Sequence, residues 1–220
     1  MNQPIVLRRP IPAEAAARER LRKLAAEKNA KIVSVAGQAG AGRSSLIAAA
    51  ATPALATLRC AAVIAALRGG DDAERVAGAG LPTVAVDLAR IDELDAAIVE
   101  QAWRELPDPA IDLLLVERAA SMTHTPPDIG EDGKVLVVAV GVAQHLARKY
   151  ESVFAWADAV VLNMIDLIPL TQFSLQRFEK DLHAVNPHAE LIPLSARTGE
   201  GLDRWLRWLE SRRAADPSRS

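Results

Sequence analysis

The chain has 220 residues, half of them hydrophobic and a quarter charged, with a formal net charge of -2 at pH 7. This length predicts one domain with a sizeable core, and the near-neutral charge argues against nonspecific nucleic-acid binding, which needs a basic excess. A single cysteine, Cys60, excludes a disulfide framework and an all-cysteine zinc cluster within one chain. No apolar run is long enough to cross a bilayer, and the N-terminus has too few apolar residues for the core of a signal peptide. Together with the single cysteine and the near-neutral charge, this predicts a cytoplasmic protein with no membrane or nucleic-acid partner.

Apolar periodicity predicts helices and strands that alternate along the chain. A helix over 12–29 precedes a buried strand over 31–37, and another helix begins at Arg43. Later strands are predicted over 60–67, 82–88, 111–118, 134–140, 159–163 and 189–196. Later helices are predicted over 91–106, 171–185 and 201–213, with a helical stretch between 140 and 159. Strands that are apolar throughout and alternate with helices indicate a parallel sheet covered on both faces.

The segment GQAGAGRS, residues 37–44, joins the first strand to the next helix and has the spacing of a phosphate-binding loop. Glycines let such a loop turn its N–H groups toward phosphate oxygens, and the hydroxyl of Ser44 suits magnesium. Arg43 stands where such loops carry lysine, so it either pairs with phosphate elsewhere or fills the phosphate site itself. The predicted phosphate-binding residues are Gly37, Gly40, Ala41, Gly42, Arg43, Ser44 and Ser45.

A second motif, NMID at 163–166, follows the predicted strand 159–163. Asn163 and Asp166 have the spacing of the guanine-reading motif of GTPases, in which the carboxylate accepts two hydrogen bonds that adenine cannot offer. Met164 replaces the usual lysine and could keep its packing along the base without the charge. Residues Ser195, Ala196 and Arg197 stand as in the Ser-Ala-Lys loop that backs the base, which completes the predicted guanine site.

The order and wording of these segments resemble the nickel-incorporation GTPases of hydrogenase maturation (HypB type), relatives of the urease accessory GTPases. The resemblance runs from about Lys31 to Glu210 and is most specific in NPHAELIPLSARTGEGLDRWLRWL. It implies a three-layer α/β fold of the P-loop NTPase type, with a parallel sheet and helices on both faces. The predicted organisation is an N-terminal helical extension (1–30), a P-loop GTPase-like domain (31–213) and a flexible tail (214–220).

The resemblance also implies GTP or GDP bound with magnesium, which Ser44 and Glu117 would hold. The chain departs from the family at Arg43, at Ala66 in place of a magnesium-binding aspartate, and in the loop after Glu117. Phosphoryl transfer depends on positioned charge, so we expect weak or no hydrolysis. The alternatives are an accessory GTPase for nickel insertion with degraded motifs, or a pseudo-GTPase or nucleotide-binding interaction module without useful turnover.

Metal and partner chemistry follow from the same resemblance. Asp92 and Glu93 occupy the positions of the family's metal-binding Cys-His pair and are weak metal candidates, because nickel and zinc prefer imidazole and thiolate. We therefore predict no nickel or zinc site. The family implies a homodimer, or a heterodimer with a related GTPase, that works with hydrogenase maturation proteins or an enzyme precursor. Cys60 is predicted to be a small core residue.

Overall fold

The structure, a computed structural model, describes residues 11–51, 58–66, 71–87, 94–106, 110–119 and 122–213. Its strands are β1 (Lys31–Gly37), β2 (Cys60–Ala66), β3 (Thr83–Asp87), β4 (Leu113–Ala119), β5 (Gly133–Ala139), β6 (Ala159–Asn163) and β7 (Glu190–Pro193). Its α-helices are α1 (Ile11–Glu27), α2 (Arg43–Ala48), α3 (Asp71–Gly78), α4 (Ala96–Arg104), α5 (Val140–Ala143), α6 (Leu146–Lys149), α7 (Glu151–Trp156), α8 (Leu175–Val185) and α9 (Leu202–Ser211).

The seven strands form one sheet in the order β3-β2-β4-β1-β5-β6-β7, and every neighbouring pair is parallel. The predicted fold class is confirmed: continuous apolar strands lie between helices in a parallel sheet. Parallel strands end at the same edge, so the segments that follow β1, β4, β6 and β7 meet there. Both motifs found in the sequence follow strands of this group.

Helices cover both faces of the sheet. On one face, α2, α3 and α9 pack on side chains such as Val33, Leu115 and Val161. On the other face, α1 and α4 cover the β1, β2 and β4 side through Leu21 and Trp103. Helices α5 to α8 cover β5 and β6 on that second face. Helix α1, predicted as an N-terminal extension, therefore packs with α4 in the helical layer on this second face.

Several predicted boundaries are corrected by helix caps and tight turns. Helix 91–106 begins at Ala96, where the Asp95 carboxylate accepts a hydrogen bond from the Ile98 N–H, as an N-cap does. Helix 171–185 begins at Leu175, capped by the Ser174 hydroxyl. Helix α3 and a 3-10 helix, Ile165–Leu170, were not predicted. Among the described helices, none is long and apolar enough to span a membrane.

Cys60 lies buried in the core, as predicted. Burial, with a smaller contribution from the nearby Asp112 carboxylate, raises the pKa of its thiol to about 12. A thiol with so high a pKa carries little thiolate at neutral pH, and thiolate is the reactive form. Cys60 is therefore an inert packing residue.

Candidate functional site

The predicted phosphate-binding loop connects β1 to α2, and its glycines meet two different requirements. Gly40 and Gly42 have left-handed backbones, with φ of 78° and 88°. Gly37 does not, which corrects the expectation that all three glycines serve backbone conformation. A Cβ at Gly37 would collide with the carbonyl oxygen of Val137 on the neighbouring strand β5, so this position needs glycine for space.

Arg43 turns its guanidinium back toward the carboxyl ends of the central strands. Its Nη1 donates to the carbonyl oxygens of Gly37 (2.8 Å), the last residue of β1, and Arg118 (2.7 Å), the second-last residue of β4. Its Nε lies 3.3 Å from Oε1 of Glu117, and the side chain is 12% exposed. Two neighbouring strands thus fix a permanent positive charge beside the loop.

Glu117 is the buried partner of that charge. Its side chain is 1% exposed, and neither carboxylate oxygen meets hydrogen-bond geometry with a described residue. Burial raises the pKa of Glu117, while the Arg43 guanidinium and the nearby Ser44 hydroxyl oppose that rise. Ser44 and Glu117 do lie together, as a magnesium site needs, but a guanidinium already contacts the carboxylate. Ser45 lies on the outer side of α2, where its hydroxyl accepts a hydrogen bond from Arg75.

Asn163 joins three segments at the end of β6. Its Nδ2 donates to the carbonyl oxygen of Ala41 in the phosphate loop (2.9 Å). Its Oδ1 accepts from the backbone N–H groups of Met164 (2.8 Å) and Ala196 (3.0 Å). The side chain is 2% exposed, and a Cβ at Gly42 would collide with it. The sequence-predicted phosphate and base segments are therefore brought together through one amide.

The chain turns sharply after Asn163. Met164 has a left-handed backbone with φ of 66°, which costs a residue other than glycine about 1–2 kcal/mol. The Ile165 N–H then donates to the carbonyl oxygen of Leu194, so the turn is fixed against the segment that follows β7. This turn brings Asp166 to the Ser195–Arg197 segment.

Asp166 has one occupied and one unpaired carboxylate oxygen. Its Oδ2 accepts a hydrogen bond from Nη2 of Arg197, whose side chain is 76% exposed. Its Oδ1 is buried and meets hydrogen-bond geometry with no described residue, although the Ser195 hydroxyl lies close to the carboxylate. The Ser195 hydroxyl and the Arg197 guanidinium lower the pKa of Asp166, so the carboxylate is ionised at neutral pH. An ionised acceptor with an unpaired oxygen suits a ligand that offers N–H donors.

The sequence places Arg118 in the predicted strand 111–118 and also counts it with the altered segment that follows Glu117. The structure confirms the strand, and the Arg118 side chain is 2% exposed. Its Nη1 lies 3.7 Å from Oε1 of the buried Glu131, and its Nη2 donates to the Leu94 carbonyl. Consecutive strand residues face opposite sides, so Glu117 reaches the phosphate loop while Arg118 faces the α1 and α4 layer. The alternation of side chains along a strand could have predicted from the sequence that Glu117 and Arg118 face opposite sides of the sheet.

The metal candidates Asp92 and Glu93 lie outside the described residues, as do the side chain of Ala66 and residues 120–121. Within the described ranges, no group of three or more histidine, cysteine, aspartate or glutamate side chains could hold a metal ion. The described part of the site therefore offers guanidinium, amide and carboxylate chemistry for an anionic, hydrogen-bonding ligand.

Comparison with known proteins gives consistent matches. The family described as CobW/HypB/UreG, nucleotide-binding domain, matches residues 31–193. Hydrogenase maturation factor HypB of Escherichia coli (strain K12) is 30% identical over 198 residues, which cover 90% of this chain and 68% of that protein. Its counterpart in Azotobacter vinelandii is 32% identical over 187 residues, which cover 83% of this chain and 60% of that protein.

Two solved structures share the fold. HypB from Archaeoglobus fulgidus superposes with a TM-score of 0.82 at 24% identity, over 91% of this chain and 98% of that one. HypB from Helicobacter pylori in complex with nickel superposes with a TM-score of 0.82 at 17% identity, over 93% and 99%. Each match includes nearly the whole of this chain and of the solved structure, so this chain has the same fold as the two solved proteins.

Proposed function

This chain belongs to the CobW/HypB/UreG family, as its sequence predicted, and we propose that it is a guanine-nucleotide-binding accessory protein of hydrogenase maturation. Relatives that are 30% and 32% identical carry the name hydrogenase maturation factor, and the matched domain is described as nucleotide-binding. Nickel insertion into a hydrogenase precursor is the process that this resemblance implies. Its partners in that process would be a second copy or a related GTPase, together with maturation proteins or the precursor.

Asn163 carries this proposal. Its amide contacts the phosphate loop at Ala41, the turn at Met164 and the base loop at Ala196. A buried amide that pairs with three backbone segments sets their relative positions, which a ligand spanning base and phosphates requires. The unpaired oxygen of Asp166 supports guanine, because its N–H donors match a carboxylate and adenine lacks that pair of donors.

The contacts of Arg43 favour a second candidate function, a nucleotide-binding module without useful turnover. Phosphoryl transfer needs charge positioned for the transition state. Here the Arg43 guanidinium is held by two backbone carbonyls and Glu117. We expect slow hydrolysis and, because Asp92 and Glu93 are hard oxygen ligands, no tight nickel or zinc binding by this chain.

Isothermal titration of the purified protein with GDP and ATP tests the proposal, with Asp166→Ala as the informative variant. We expect GDP to bind and ATP not to bind. Asp166→Ala should weaken GDP by about 10- to 100-fold, since unmatched polar groups cost about 1–3 kcal/mol. Asp203→Ala, the same change at an exposed position of α9, should leave GDP affinity unchanged. Equal binding of ATP and GDP by the wild type would contradict guanine recognition.

A further inference from the structure

The hydrogen bonds of Arg43 leave part of its guanidinium available. Both strong bonds come from Nη1, to Gly37 and Arg118, and Nε faces Glu117. Nη2 makes no hydrogen bond to any residue in the described ranges, and the side chain retains 12% exposure. A guanidinium has five N–H donors in a fixed plane and keeps its charge in proteins. The two Nη2 donors therefore remain for an anion, on a group that the sheet already orients.

Glu117 does not fit a magnesium site in this arrangement. Magnesium prefers oxygen ligands in a near-octahedral set, and its double positive charge is repelled by a neighbouring cation. Here the guanidinium lies 3.3 Å from Oε1, with the carboxylate 1% exposed. The local charge is already balanced by the protein's own cation.

We propose that Arg43 takes the place of magnesium in this site, so that a nucleoside diphosphate binds without a divalent cation. This inference rests on the proposed nucleotide-binding function and is an alternative to the sequence-based assignment of magnesium to Ser44 and Glu117. The backbone N–H groups of the glycine loop and the Nη2 donors of Arg43 supply the contacts to phosphate oxygens. Guanidinium–phosphate hydrogen bonds are charge-assisted and need no bridging ion.

Titration of GDP in magnesium chloride and in excess EDTA tests this inference. For the wild type we expect dissociation constants that agree within about threefold, since a metal-bridged phosphate would lose at least about tenfold on chelation. Arg43→Lys retains the charge but not the planar fork, so Glu117 gains room for a metal. This variant should bind GDP more weakly in EDTA and recover at least about tenfold in magnesium. Arg177→Lys, at an exposed position of α8, is the matched control and should behave as wild type.

Glu117→Gln keeps the size of the side chain and gives a second reading. If Arg43 replaces magnesium, the affinity of Glu117→Gln for GDP should be as insensitive to magnesium as that of the wild type. If Glu117 instead binds a metal, the wild type should respond to magnesium and Glu117→Gln should not. Wild-type protein that binds GDP in magnesium but not in EDTA overturns the inference and leaves the proposed function intact. Wild-type protein that binds no GDP under either condition overturns both. Far-UV circular dichroism confirms that each variant is folded before titration.

Discussion

The two ends of the candidate site are built on different principles. At the base end, Asn163 makes three hydrogen bonds to backbone groups, so the assembly does not depend on the lost charge at Met164. At the phosphate end, the decisive groups are the charged side chains of Arg43 and Glu117, which contact each other inside the protein. Ligand recognition that depends on backbone geometry is retained when neighbouring side chains change. Catalysis that depends on charged side chains is lost when those side chains change. We therefore expect binding and hydrolysis to be separable in this chain.

The two carboxylates show the same contrast. Burial raises the pKa of Glu117 at the phosphate end. The Ser195 hydroxyl and Arg197 lower the pKa of Asp166 at the base end. Asp166 is thus an ionised acceptor that we propose meets the base, while Glu117 is a desolvated group that contacts the protein's own arginine. Four predictions test this contrast between the phosphate end and the base end of the site.

The largest effect is expected for Arg118→Ala, on the sheet face opposite Glu117. The substitution leaves the buried Glu131 without its cation, and breaking a buried pair in this way costs about 3–5 kcal/mol. Urea unfolding should show a fall of that size relative to Arg177→Ala, an exposed control. The folded variant should bind GDP within about threefold of wild type, because the backbone carbonyl that binds Arg43 remains. Unchanged stability would show that the pair contributes nothing.

GTP hydrolysis is expected to be on the order of 100-fold slower than in a relative with an intact phosphate loop, since each lost transition-state contact costs a few kcal/mol. Arg43→Lys should restore little turnover, because Ala66 still supplies no carboxylate. Phosphate release from both proteins, measured beside HypB of Escherichia coli in one assay, checks this. Rates equal to that relative would refute the separation of binding from hydrolysis.

The raised pKa of Glu117 predicts a dependence of stability on pH. A group with a folded-state pKa above its ordinary value of 4.5 binds more protons when folded, so its contribution to stability declines as pH rises above 4.5. The decline is at most about 1.4 kcal/mol per pH unit for one proton. Urea unfolding at about pH 5 and about pH 8 should show this decline in the wild type and its loss in Glu117→Gln. Parallel pH profiles for the two proteins would contradict the burial argument.

The smallest effect is expected for Arg197→Ala. Removing the guanidinium frees Oδ2 of Asp166 for guanine, but a solvent-screened pair contributes little, so GDP should tighten by no more than about fivefold. Arg207→Ala in α9 provides a control with similar exposure. Weaker binding of GDP by Arg197→Ala would mean that the arginine contacts the nucleotide directly.

Local patterns were enough to predict the sheet and to single out the segments after β6 and β7 as candidates for a base site. The apolar runs at β5 and β6 and the spacing of Asn163 and Asp166 are each encoded within a few residues. Helix starts were less well predicted, because apolar periodicity continued upstream of the true caps, Asp95 and Ser174. The capping residues were visible in the sequence, but only the structure shows which of several polar residues accepts the backbone N–H.

The direction of Arg43 could not be predicted from its neighbours in sequence. It depends on the carbonyl oxygen of Arg118, which is 75 residues away along the chain and lies beside that of Gly37 because β1 and β4 are adjacent in the sheet. The same holds for the pair between Arg118 and Glu131, which forms only when the loop before β5 reaches the second face. Local spacing identifies a phosphate loop, whereas long-range packing decides what its charged residue contacts.

Competition between nucleotides tests the central claim most directly: the base end still reads guanine, while the phosphate end no longer favours a third phosphate. A fluorescent GDP derivative bound to the wild-type protein is displaced with GDP, GTP and ATP in turn. We expect GDP to compete at least as well as GTP and ATP not to compete. Displacement by ATP as readily as by GDP, or by GTP much more readily than by GDP, would contradict it.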